Sequence, residues 1–359
     1  MNSFRWDLNR SIAKLLALSD LLESQSDRRI LILCHNNPDP DTIAGAYGFS
    51  FLLGRKFGIR SSIAYGGVVT RAENKAMIHR LRIPMSPLSV LDPELSLKIA
   101  LVDGQPGTGN NLLFSRETPP LIVIDHHPLR KLSLKAAFHD VRPNYGSTST
   151  IITEYLVAAG LDPPRTLANA LLYGLKTDTN SLVRTASKPD FCAFNYLSPL
   201  TNPRVLGWIE KPPLPVHYFE DYYLGLSRTM LYRDVAVSHL GEIKSEAIVP
   251  ELADLLLRIE NVSWSLCMAE TGDLMILSLR STSRKQQAGS VMRRLIGQTG
   301  SAGGHREMAG GTIRLTGMSP AESKELPDKL VNKFLTLINR RKLTPKPLVS
   351  TIKRNPDAE

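Results

Sequence analysis

A chain of 359 residues is longer than one hydrophobic core usually sustains, so two domains are expected. Hydrophobic content of 42% and charged content of 22% are those of an ordinary globular protein, and no apolar run is long enough to cross a bilayer. The formal charge of +10 favours acidic ligands such as phosphates, but 22 basic and 17 acidic residues fall on either side of the Ser198 boundary, which excludes one dedicated basic domain.

Residues 1–27 lack the layout of a secretory signal and carry Asp7, Asp20 and Glu23. They read as an amphipathic helix of a cytoplasmic protein. Cys34, Cys192 and Cys267 form no motif and suit reduced, buried thiols. From Arg29 the pattern alternates in the βαβ manner. "RILILC" is a strand, and "DTIAGAYGFSFLLGRKFG" is a helix stopped by Gly58. "SSIAYGG" is a strand and "RAENKAMIHRLR" a helix, before two further strands, "LKIALVDG" and "PLIVIDHH". Two helices follow, in "STSTIITEYLVAAG" and "PPRTLANALLYGLKTDTN". Such crossovers predict a doubly wound, mainly parallel α/β sheet with helices on both faces, over residues 28–198.

Five prolines in "SPLTNPRVLGWIEKPPLP" predict a linker over residues 199–216. A smaller, mixed α/β domain is expected over 217–340. It starts with a helix through "HYFEDYYLGLSRTMLYR", followed by the strand "DVAVSHLG" and the helix "VPELADLLLRIENV". A hairpin turning at Thr271–Gly272, a helix in "KQQAGSVMRRLIGQTG" and the strand "GTIRLTG" complete it. The basic tail, 341–359, is expected to be poorly ordered.

The strongest local signal is "CHNNPDPDTIAG", where His35, Asp39 and Asp41 lie on a loop opening a helix. Two carboxylates and an imidazole suit Mn²⁺, Zn²⁺ or Fe²⁺ better than Ca²⁺. The plain alternative is that Asp41 caps the helix while Asp39 and the prolines make a turn. "IALVDG" ends in Asp103, "VIDHH" in Asp125, His126 and His127, and "YGLKTDTNSL" supplies Asp178. Adjacent parallel strand ends lie roughly 5 Å apart, so these groups can meet. Acids seldom gather at buried strand ends unless paired or metal-bound.

The set "HNNPDPD", "VDG", "IDHH" and "KTDTN", in this order, resembles the motifs of the DHH phosphoesterase superfamily. The downstream "GSAGGHREMAGG" resembles the glycine-rich signature of the DHH-associated domain in the RecJ-like and nanoRNase-like branch. The resemblance implies two divalent cations, usually Mn²⁺. One would be held by His35, Asp39 and Asp103, the other by Asp41, Asp103, His126 and Asp178, with Asp103 bridging. It implies that Asp125 orients His126 and that His127 contacts the scissile phosphate or leaving oxygen. In the second domain it implies substrate contacts from Gly303, Gly304 and His305, with Arg280 gripping a terminal phosphate. Gly310 and Gly311 belong to the same segment, for which a hairpin with bulges is the plain alternative. Arg184 and Ser147 are further candidate contacts, with a solvated arginine and a helix N-cap as their alternatives.

The signature departs from the family pattern in "SAGGH" and "EMAGG", and the Gly104–Asn111 loop, "GQPGTGNN", matches no better-known branch. The implied activity is hydrolysis of short oligoribonucleotides or linear or cyclic dinucleotides, with 3′-phosphoadenosine 5′-phosphate as a further substrate. Polyphosphate hydrolysis and non-catalytic nucleotide binding are the competing functions. A short oligonucleotide or dinucleotide partner, no membrane and a homodimer are the expectations for association.

Overall fold

The structure is a computed structural model. It describes residues 6–25, 29–90, 98–108, 110–111, 119–183, 185–283, 286–304, 306–340 and 343–349. The chain divides into two compact units, Met1–Pro212 and Pro213–Glu359.

The first unit opens with helix α1 (Asn9–Glu23), strand β1 (Arg29–Leu33) and helix α2 (Pro40–Phe57). Asp39 caps α2 by accepting the Thr42 N–H at 3.0 Å, Pro40 supplies a preset first turn, and Gly58 ends the helix at φ 63°. Then come β2 (Arg60–Tyr65), α3 (Ala72–Leu81), β3 (Met85–Pro87), β4 (Lys98–Val102), β5 (Ile122–Asp125) and β6 (Phe138–Val141). Helices α4 (Thr148–Ala158), α5 (Arg165–Asp178), α6 (Lys188–Leu197) and α7 (Pro203–Glu210) close the unit.

Its six strands are all parallel, in the order β3-β2-β1-β4-β5-β6. The strand order therefore reverses between β1 and β4, which leaves a crevice beyond their carboxyl ends where open α/β sheets bind ligands. Alternate residues of β1 serve two cores. Ile30 and Ile32 join the large cluster formed with the helices, including Leu18, Phe49, Ile152 and Leu171. Leu31 and Leu33 join a smaller one with Leu101 and Val123. Among the described residues, α-helices contribute to the first cluster only, so the expected helix cover on both faces is found on one.

In the second unit, helix α8 (Val216–Ser227) leads into β7 (Met230–Tyr232), β8 (Val235–Glu242), α9 (Ile248–Leu256), β9 (Trp264–Thr271) and β10 (Leu274–Ser281). Helix α10 (Ala288–Ile296), β11 (Gly300–Gly304), β12 (Met308–Arg314), α11 (Pro320–Leu337) and β13 (Lys346–Pro347) follow. The seven-stranded sheet runs β11-β12-β10-β9-β8-β7-β13 and is antiparallel except for β8 and β9.

Three segments differ from the sequence expectation. The helix expected through Arg233 stops at Ser227, because Met230–Tyr232 pairs with β8 across a turn in which Arg233 takes φ 61°. The proline-rich stretch is no open linker throughout. Pro203 starts α7, which buries Leu206 and Ile209 in the first core. Within the basic tail, Lys346–Pro347 pairs with β7 and the Leu348 N–H donates to the Thr229 carbonyl at 2.9 Å.

Candidate metal centre

Three strand ends and two helix ends converge beyond the crevice. After β1 the chain passes through His35 and Asn37, which takes φ 55°. Asn37 Oδ1 accepts the Val68 N–H at 2.8 Å, and the Pro38 carbonyl accepts the buried Asn74 amide at 3.0 Å, which fixes the loop that carries Asp39 and Asp41. After β4, Asp103 takes φ 56°, an uncommon left-handed conformation for a residue with a Cβ. Asp178 is the last residue of α5.

Ligand atoms of His35, Asp39 and Asp103 lie within 4.8 Å of one another, as do those of Asp41, His126 and Asp178. Asp103, His126 and His127 form a third such set. His35 Nε2 is 3.6 Å from Asp39 Oδ2 and 3.9 Å from Asp103 Oδ2. His126 Nε2 is 3.7 Å from Asp103 Oδ1 and 3.0 Å from Asp178 Oδ2. Asp103 therefore faces both histidines with different oxygens. The arrangement brings together all six residues expected to bind cations.

The donor set fits a divalent cation. His35 Nδ1 lies 2.8 Å from the Asn36 carbonyl and His126 Nδ1 lies 3.1 Å from the Tyr145 carbonyl. A carbonyl can only accept, so Nδ1 carries a proton in both rings and Nε2 can offer its lone pair to a metal. His126 Nε2 is buried and makes no directed hydrogen bond among the described residues. Asp103, with its side chain only 2% exposed, receives the Thr42 hydroxyl at 2.5 Å on Oδ2 and the Thr148 hydroxyl at 2.8 Å on Oδ1. Asp41 receives the first two N–H groups of α4, those of Thr148 at 2.6 Å and Ser149 at 2.9 Å, rather than capping its own helix, whose cap is Asp39. Each carboxylate oxygen retains a lone pair for a cation. Among the described residues neither Asp41 nor Asp103 pairs with a Lys or Arg.

The electrostatics show the same need. Burial, reinforced by the charges of Asp103 and Asp178, pushes Asp41 well above the usual carboxylate range. Burial and Asp39 raise Asp103. Burial opposes charge on His35, but the Asp39 hydrogen bond and the charges of Asp39 and Asp103 lift it to about 9. His126 is raised well above its ordinary value, burial being outweighed by Asp178 and Asp103. Protons are thus favoured on Asp41, Asp103, His35 and His126. A cation bound at Nε2 would take their place.

Asp125, expected to orient His126, does not bond that residue's imidazole. Its Oδ1 lies 2.9 Å from His127 Nδ1 and accepts the N–H groups of His126 at 2.8 Å and His127 at 3.2 Å. His126 turns the other way, to Tyr145. That tyrosine is held by a buried charge network in which Arg142 donates to Asp140 at 2.6 Å, to Glu154 at 2.6 Å and to the Tyr145 hydroxyl at 3.2 Å. The Asp125 hydrogen bond and the charge of Asp103 overcome burial and raise His127 to about 9. The same contact holds Asp125 below the usual range, against burial.

Three groups that shape this site were not singled out from sequence. Thr42 and Thr148 aim Asp103, and Gln105 donates to Asp125 Oδ2 at 2.6 Å. Thr42 directly follows Asp41 and Thr148 opens a helix, which are the only signals they carry.

The candidate substrate residues fare differently. Ser147 is the N-cap of α4, its hydroxyl accepting the Thr150 N–H at 3.1 Å, and it is fully buried. Arg280, 6% exposed, is engaged by Asp254 and donates to the Ser278 hydroxyl at 2.9 Å. Gly303 and Gly304 lie in the exposed edge strand β11, paired with Gly310 and Ala309. Gly311 pairs with Ala302. At Gly304, φ is 143° and a Cβ would meet the Met308 carbonyl oxygen at 2.4 Å, so the hairpin itself demands glycine there. Arg184 and His305 lie outside the described residues.

Residues 29–175 match the DHH family, N-terminal domain, and residues 233–338 match the DHHA1 domain. An uncharacterized protein of Methanocaldococcus jannaschii is 34% identical over 315 residues, 87% of this chain and 64% of its own length. The chain thus spans less than two thirds of that relative. An exopolyphosphatase-related protein from Bacteroides fragilis shares the fold at a TM-score of 0.71 and 17% identity, over 91% of this chain and 98% of its own. RecJ from Thermus thermophilus, in complex with Mn²⁺, shares it at 0.52 and 15% identity, over 95% of this chain and 55% of its own.

Proposed function

Because the chain belongs to the DHH superfamily and carries a DHHA1 domain in its second unit, we propose that it is a metal-dependent phosphodiesterase. Its substrates are short oligoribonucleotides or linear or cyclic dinucleotides, and 3′-phosphoadenosine 5′-phosphate is a further one. The observation that carries this reading is Asp103, whose two oxygens face His35 on one side and His126 on the other. His35, Asp39 and Asp103 would hold one divalent cation, and Asp41, Asp103, His126 and Asp178 a second. Two such cations, with Mn²⁺ suited to this donor set, would supply Lewis-acid polarisation of phosphoryl oxygens and lower the pKa of the attacking water.

The protein's own groups prepare that chemistry. The Asn36 and Tyr145 carbonyls hold a proton on Nδ1 of His35 and His126, which directs both Nε2 lone pairs inward. Thr42 and Thr148 fix the rotation of Asp103. Asp125 holds the His127 ring at the mouth, 36% exposed, where it serves as the contact for a phosphoryl or leaving oxygen. Cys34, beside His35, is no competing nucleophile, since burial first and Asp103 second push its thiol far above the usual range. In the second unit, the exposed backbone of Gly303 and Gly304 is the proposed substrate contact, through close approach of main-chain amides.

One observation favours polyphosphate as the alternative substrate: β11 and β12, "GSAGG" and "MAGGTIR", carry no aromatic side chain on which a base could stack. Turnover of pApA against short-chain polyphosphate, each with Mn²⁺, separates the two. The dinucleotide reading predicts faster cleavage of pApA. Cleavage of polyphosphate alone overturns it.

A further inference from the structure

The Gly104–Asn111 loop is left without a role by the metal centre, yet one of its residues is among the most fully bonded in the unit. Gln105 is 1% exposed. Its Nε2 donates to Asp125 Oδ2 at 2.6 Å and to the Pro128 carbonyl at 3.1 Å. Its Oε1 accepts the Arg130 N–H at 2.8 Å and the Ser133 hydroxyl at 2.8 Å. Its main-chain carbonyl accepts the Thr108 hydroxyl at 2.9 Å and the Asn111 amide at 3.0 Å. The amide orientation follows from chemistry, because a carboxylate and a carbonyl face one end while a backbone N–H faces the other.

We infer that Gln105 is a positioning residue for the reaction proposed above, on which this inference rests: it holds Asp125, and through Asp125 the imidazole of His127. Asp125 has two oxygens with separate duties. Oδ1 faces His127 Nδ1 and the two backbone N–H groups. Oδ2 is held by Gln105. Without that second bond the carboxylate can rotate about its χ2 bond, and the ring it holds rotates with it. The other end of the amide fixes the segment immediately after His127, through Arg130 and Ser133. Gln105 therefore grips the histidine from before and after in the chain. None of its hydrogen bonds reaches His35, Asp39, Asp41, Asp103, His126 or Asp178, so metal uptake should not depend on it.

No simple substitute satisfies this position. Gln105→Met keeps the length but strands Asp125 Oδ2, the Arg130 N–H and the Ser133 hydroxyl. Gln105→Glu keeps the shape but sets one carboxylate against another. For both variants in the full chain, kcat on bis-p-nitrophenyl phosphate should fall roughly 10–100-fold, with KM and manganese stoichiometry unchanged. Wild-type kcat in either folded variant overturns the inference. So does a loss of manganese in proportion to activity, which would make Gln105 a support of the fold alone.

A second readout is independent of turnover and of either variant. In full-length wild-type protein with ¹⁵N-labelled histidine and glutamine side chains and diamagnetic Mg²⁺, the His127 Nδ1 proton should exchange slowly. The Gln105 side-chain amide protons should be protected too. Exchange of these protons at the solvent rate overturns the inference even if neither variant folds. Absence of any hydrolysis by the wild type, with these protons protected, instead defeats the phosphodiesterase reading and leaves the Gln105–Asp125–His127 linkage in place.

Discussion

The two units handle polar groups in opposite ways. In the first, titratable side chains sit at the open ends of parallel strands, and each is turned toward its neighbours by a group behind it: Thr42 and Thr148 on Asp103, two carbonyls on His35 and His126, Gln105 on Asp125. In the second, the polar residue of greatest sequence interest, Arg280, lies within an antiparallel ladder and is occupied by Asp254 and Ser278. The difference teaches that a strand end leaves a side chain facing a crevice, whereas a ladder position commits it to whatever the register brings alongside.

Breaking the cluster at its shared member should show the contrast most strongly. Asp103→Ala removes the carboxylate that faces both histidines. The loss in kcat should exceed the roughly 10–100-fold expected for a group that only orients a ligand, measured on bis-p-nitrophenyl phosphate with Mn²⁺. Thr148→Val is such an orienting change and should fall within that range, with a raised requirement for Mn²⁺ in activity titrations. A smaller loss for Asp103→Ala than for Thr148→Val would deny Asp103 its bridging place.

The next effect appears in stability, and should be confined to the first unit. His35 and His127, both lifted to about 9 in the fold from an ordinary 6.5, bind protons more tightly folded than unfolded. Their contribution is fully present below about 6.5 and is lost as pH rises through about 9. The metal-free first unit should therefore melt at progressively lower temperature across that interval. Saturating Mn²⁺ should raise its midpoint, because each bound cation stabilises the fold by about 2.7 kcal/mol at a hundredfold excess over Kd. Differential scanning calorimetry at pH 6.5 and 9 checks both effects, and a flat metal-free profile would contradict the histidine assignments. The smallest change is expected of Arg280→Met, which should lower the second unit's midpoint by roughly 2–8 °C while kcat on bis-p-nitrophenyl phosphate stays unchanged. A large fall in kcat with no shift in midpoint would return Arg280 to the substrate.

Much of the first unit was legible because parallel strands buried on both faces write themselves as aliphatic runs, and because acids and histidines at their ends are hard to place otherwise. The alternation from Arg29 to Asp178, the convergence of the six expected cation ligands and the mixed second sheet follow the sequence. The partner of Asp125 did not. Two adjacent histidines leave the same strand, and only the backbone path after Asp125 decides which ring returns to it. Thr42, Thr148 and Gln105 were invisible since common polar residues carry no pattern until their acceptors are located. Strand β7 reads as the end of a helix because "TMLYR" has too few residues to show a period. β13 escaped because an edge strand of two residues is defined by its pairing alone.

Counting the cations tests the central claim most directly. Full-length protein, stripped of metal and titrated with Mn²⁺ under calorimetry, should take up two ions per chain. Asp41→Ala, which spares the His35, Asp39 and Asp103 set, should retain one. A wild-type chain that binds a single ion, or none, would contradict a centre built around Asp103.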